Sequence, residues 1–114
     1  MSTSNLMSRR LRADRALILD LISVLSQQPA GLRRWSVMRA MKTLSEKANR
    51  EVSPKFEDDV ERAFRRHCEG DSVHTGMADK PQVLFFRPKE SVGEVWAVHR
   101  DKAEAWMKGG NLAA

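Results

Sequence analysis

From Asp14 onward, apolar side chains recur at the three- and four-residue spacing of a helix, with Leu17, Ile18, Leu21, Ile22 and Leu25 on one face. Gln27-Gln28-Pro29-Ala30-Gly31 stops that pattern and closes the first predicted helix. A second stripe, Val37, Met38, Met41, Leu44 and Ala48, follows Ser36, which is placed to cap it, and ends before Asn49 and Arg50. The third helix has the clearest start. Ser53 is an N-cap residue, Pro54 suits the first helical position, and Glu57, Asp58 and Asp59 sit near the positive end of the helix dipole. Phe56, Val60, Ala63, Phe64 and His67 form its apolar face, and Gly70 can end it.

Between Asp71 and Pro81 the chain turns to Ser, His, Thr, Gly, Asp and Pro, which reads as a loop. Val83-Leu84-Phe85-Phe86-Arg87 and Glu94-Val95-Trp96-Ala97-Val98-His99 are short β-prone runs, and Pro88 to Gly93 joins them as a hairpin connection. Asp101 with Glu104 three residues later resembles a capping box for a last helix carrying Ala105, Trp106 and Met107, after which Gly109-Gly110 releases a tail. The reading is one α+β domain over residues 14–108, a flexible arm over 1–13 and a flexible tail over 109–114.

Charge changes this picture. The formal net charge is +5 and the sequence pI about 9.9, but residues 1–50 hold ten Lys and Arg against three Asp and Glu, and the remainder ten against twelve. A basic half of that density favours a polyanion such as nucleic acid, or an anionic membrane surface. Arg9, Arg10 and Arg12 form a basic arm; Arg33, Arg34, Arg39 and Lys42 cluster at the start of the second helix; Arg87 and Lys89 sit on the hairpin. Ser8-Arg9-Arg10 followed by Ala16 to Leu19 has the outline of an export signal, but Asp14 and Asp20 interrupt it, so the segment is expected to belong to the fold and the protein to the cytoplasm, on the nucleoid if bacterial.

Enzyme chemistry finds no constellation here. Cys68 is the single cysteine, which rules out an intramolecular disulfide, and it lacks the partner spacing of a zinc site with His67, His74 and His99. No Gly-rich phosphate loop, metalloprotease pair or serine elbow occurs. No metal, cofactor or catalytic residue is expected. Trp35, Trp96 and Trp106 can stack on single-stranded bases, but Trp35 and Trp96 adjoin apolar patterns and are expected in the core.

The order helix, helix, short turn, helix, hairpin over roughly residues 14–99 resembles the winged helix-turn-helix family, a three-helix core with a two-stranded wing, here followed by a C-terminal helix. Phe56, Val60 and Phe64, then Leu84-Phe85-Phe86, then Gly93 to Val98 are similar to winged-helix modules of some bacterial restriction endonucleases, without a nuclease domain. The resemblance implies binding to double-stranded DNA, as a transcription regulator or chromatin-associated factor, with the third helix in the major groove and the wing on the backbone. Arg62 and Arg65, flanked by Lys55 and Arg66, would then face the duplex. The acidic first turn departs from that pattern, because it would bring carboxylates toward DNA. The same acids can instead complement the helix dipole and pair with Arg62 and Arg66. The alternative is a winged helix serving only as a protein-interaction module, with the third helix or the Trp106-Met107 helix on a partner; the terminal helices also suit a homodimer interface.

Overall fold

The computed structural model describes the backbone of residues 2–113 and the side chains of residues 14–109. The chain runs α1 (Ser2–Ser26), β1 (Leu32–Arg33), α2 (Arg34–Lys47), α3 (Phe56–Arg66), α4 (Ser72–Gly76), β2 (Phe85–Phe86), β3 (Val95–Val98) and α5 (Arg100–Ala113). It is an α+β arrangement of helices around a small antiparallel sheet of order β1-β3-β2. The expected arm over residues 1–13, and the expected tail beyond Gly109, lie outside the side chains described.

The helical periodicity translates directly into burial. Ile18, Leu21, Ile22 and Leu25 of α1 meet Val37, Met38 and Met41 of α2 and Phe56, Val60, Ala63 and Phe64 of α3 in one core. The sheet closes that core through Phe85 and Trp96, with Phe64 stacked on Trp96 at 4.0 Å between ring centroids and on Phe85 at 5.2 Å. Losing such a ring costs about 3–5 kcal/mol, so the α3–sheet contact anchors the fold.

The hairpin forms where the apolar runs place it, with Phe85 opposite Val98 and Phe86 opposite Ala97. Three local expectations are corrected. Leu32–Arg33 is a strand, pairing with Val95 and Trp96, and it leads straight into α2. Arg33 therefore holds the N-cap position with no side-chain cap, Ser36 lies inside the helix, and the Arg34 N–H donates to the Glu94 carbonyl. Gly31 permits this approach: its φ is +97°, and a Cβ there would stand 2.7 Å from Val95 Cγ1 and 2.9 Å from the Trp96 carbonyl oxygen. Second, the 71–81 loop contains α4, started by Asp71, whose carboxylate accepts from the Val73 N–H at 2.8 Å. Third, α3 begins two residues after Pro54, with Lys55 at its N-cap and the Phe56 N–H donating to the Ser53 carbonyl.

Helix ends elsewhere follow their residues. Asn49, at φ +56°, closes α2: its N–H donates to the Glu46 carbonyl and that of Arg50 to Ser45, a Schellman pattern with asparagine in the left-handed position. The C-terminal end of α3 is stitched to β2, since the His67 carbonyl accepts from both Leu84 and Phe85. His67 is buried beneath Trp106 of α5, as a partly apolar helix face requires. Gly109 lies within α5 and does not end it.

Candidate nucleic-acid interface

The side chains expected to meet a polyanion divide into two groups. Six of them are held by carboxylates of the same chain. Arg34 donates to Glu61 at 2.8 Å and stands 3.9 Å from Glu94, which joins α2, α3 and the end of the hairpin connection. The Glu61 hydrogen bond raises the Arg34 pKa against the opposing effect of burial. Two turns further along α2, Lys42 pairs with Glu57 at 2.7 Å, and this bond is the main reason the Glu57 pKa is lowered. Arg62 pairs with Asp59 at 3.4 Å on an exposed face. Arg66 reaches Asp14 of α1 at 2.9 Å. Of the acidic first turn of α3, Glu57 is thus bound to α2 and Asp59 to Arg62 within the helix, while among the described residues no ion pair holds Asp58.

Asp71 engages the remaining two. Its side chain is 4% exposed, and it accepts from Arg65 at 3.1 Å and from Arg87 at 2.8 Å. Burial opposes ionisation, but the Val73 N–H, Arg87 and Arg65 outweigh it and hold the carboxyl below its ordinary pKa. The Arg87 guanidinium also lies 5.3 Å from the centre of the Phe64 ring and 3.5 Å from Cys68 Sγ. Arg87 therefore belongs to the base of the hairpin and not to its tip. Beside this cluster α4 flanks the outer face of α3, and a cleft of about 540 Å³ between them is lined by Asp58, Arg62, Arg65, Arg66, Val73 and Met77. Alternating charge across α3 and the base of the hairpin leaves this face nearly neutral.

Arg33, Arg39, Lys55 and Lys89 differ. All four are exposed, and among the described residues none has a carboxylate within ion-pairing distance. None belongs to α3: Lys55 precedes its first turn, Lys89 is on the hairpin connection, and Arg33 and Arg39 are on β1 and α2. Arg9, Arg10 and Arg12 lie outside the described side chains. No acidic residue precedes Asp14, so these three arginines supply +3 of the net +5.

Trp35 is the residue whose placement overturns expectation. Trp96 is fully buried, whereas Trp35 is 60% exposed. Trp35 points away from the side of α2 that carries Val37, Met38 and Met41, so the same periodicity that located the helix held the signal for its exposure. It edges a groove of about 520 Å³ between α2 and the end of α1. Asp71 was also missed as a hub. Its signal was the Asp71-Ser72 step, a cap-forming pair inside an otherwise polar stretch.

The remaining titratable groups have structural settings. Burial pushes the Cys68 thiol up to about 11, with Arg87 pulling against it. Burial likewise lowers the His67 pKa, while its Nδ1 bonds the Gln82 carbonyl at 2.7 Å. His74 Nε2 bonds the Pro81 carbonyl at 2.7 Å, so two imidazoles hold the approach to β2. Among the described residues no group of three or more His, Cys, Asp or Glu is arranged to hold a metal, and no helix is long and apolar enough to cross a membrane. No family model matches the chain, and no similar protein was found among curated proteins or among solved structures.

Proposed function

We propose that this chain is a winged helix-turn-helix protein that binds duplex DNA, as a transcription regulator or chromatin-associated factor, largely through phosphate contacts. The order α1-β1-α2-α3-β2-β3, with the β2–β3 hairpin packed on α3, supports the architecture. One observation carries the function: Arg33, Arg39, Lys55 and Lys89 are exposed and without a carboxylate partner among the described residues, while the arginines on α3 are taken up by carboxylates. Such a distribution suits positioning on a backbone more than reading of bases. Arg33, Arg39, Lys55 and Lys89 supply phosphate contacts, and Arg9, Arg10 and Arg12 extend them.

A mobility-shift titration of mixed-sequence duplex at several salt concentrations tests this. Four neutralised phosphates give a log–log slope of about −3.6, and three more from the arm about −6.3. Affinity that does not respond to salt overturns the proposal. A second reading, a protein-interaction module indifferent to nucleic acid, draws on the near-neutral face of α3 and the wing base; it requires that no duplex binding occur even at low salt.

A further inference from the structure

We propose that the groove beside Trp35 holds one unpaired nucleobase, stacked on the indole, with an adjoining phosphate on Arg39. The proposal rests on the nucleic-acid reading above and narrows it to strands that offer an unpaired base.

The groove is built from the end of α1 and the outer side of α2. Val24, Leu32, Ala40 and Leu44 form its apolar floor and walls. Val24 is buried and Leu32, Ala40 and Leu44 are half-buried, while a large aromatic stands 60% exposed at their edge. The opening is about 520 Å³, within the range of small-ligand sites. Gln27, Gln28, Ser36 and Thr43 line it as well, so groups that donate and accept face the same space as the apolar surface. That combination matches a base, which has two apolar faces and a polar edge.

Charge selects the ligand further. Among the described residues no carboxylate lines the groove, and Arg39 is the one charged group that does. Arg39 follows Trp35 by four positions on α2, which sets their Cβ atoms about 5–6 Å apart on one face of the helix. An aromatic platform beside an unpaired cation suits the holding of a single strand without reading its sequence, because every base has a face that can stack.

The test uses the full chain and tryptophan fluorescence. Trp96 is fully buried and Trp106 partly so, which makes Trp35 the tryptophan open to quenching by an added strand. Oligothymidylate is expected to quench, and Trp35→Ala to abolish the quenching and weaken oligothymidylate binding about tenfold. Binding of a blunt duplex should change less than about twofold, because stacking and not phosphate contact is removed. Arg39→Ala should lower the single-strand salt slope by about 0.7. Unchanged circular dichroism of each variant excludes a folding effect. If oligothymidylate neither quenches nor loses affinity in Trp35→Ala while the duplex still binds, the base-stacking site is wrong and the duplex reading survives. If neither nucleic acid binds, both fall. Quenching by a Glu- and Leu-containing peptide but not by oligothymidylate would give the groove to a protein partner and overturn the proposal.

Discussion

Asp71→Asn removes one negative charge while keeping an oxygen that can still accept from the Val73 N–H, so it isolates the two arginine pairs from the helix cap. In the native protein the carboxylate is 4% exposed, whereas Arg65 and Arg87 are 36% and 37% exposed. Breaking a fully buried pair costs about 3–5 kcal/mol and a fully exposed one about 0–1. With a buried acid and partly solvated bases, the expected loss is about 2 kcal/mol, which for a domain of this size lowers the melting temperature by roughly 10 °C. Urea unfolding at neutral pH measures it. The pH dependence supplies the control. Burial raises the Asp71 pKa, but the Val73 N–H and the two arginines prevail and the folded value is lowered. Its stabilisation is therefore complete above the unfolded value of about 4 and disappears as pH falls through the lower folded value. Wild type and variant should converge in acid. A loss below about 0.5 kcal/mol at neutral pH, the level of ordinary surface changes, would refute the reasoning, as would a gap that persists undiminished in acid.

Gly31→Ala combines a left-handed φ with a Cβ pressed against backbone, so a loss of about 2–4 kcal/mol is expected in thermal melts, and a wild-type melting temperature would sink the account of the β1–β3 approach. With its thiol pushed up to about 11, Cys68 should resist iodoacetamide at pH 8, where only about one thiol in a thousand is ionised; alkylation of the native protein as fast as of the unfolded chain would contradict its burial. Arg33→Ala and Arg39→Ala should each reduce the duplex salt slope by about 0.9, whereas Arg62→Ala should leave affinity unchanged. A loss of about 1–3 kcal/mol on a preferred sequence from Arg62→Ala alone would restore base reading by α3.

The elements legible in the sequence were those that repeat a pattern long enough to be recognised. Leu17 to Leu25, Val37 to Leu44 and Phe56 to Phe64 each span several turns, and their apolar faces are the core. Leu32–Arg33 is too short for any alternation to show, and its strand exists because β3 pairs with it. The five residues of α4 carry no apolar stripe, so only the Asp71 cap marks their start. Individual basic residues were easy to find, but their partners were not. Spacing along one helix exposes Arg62 with Asp59, yet Arg66 with Asp14 and Arg34 with Glu61 depend on how helices pack, which periodicity does not encode. Trp35 shows the converse error: local apolar neighbours suggested burial, although its position around α2 pointed outward.

The central place of β3 has a consequence for how the chain is made. Leu32 leaves the ribosome long before its partner Trp96, a delay on the order of 3–12 s at about 5–20 residues per second. Once α3 has emerged, α1, α2 and α3 can associate through their apolar faces, but β1 has an unpaired edge and Phe64 lacks the indole that stacks on it. Synthesis of a few residues late in the chain then completes both sides of the sheet at once. Truncation before Val95 should accordingly yield an aggregation-prone helical intermediate, not a smaller version of the same fold.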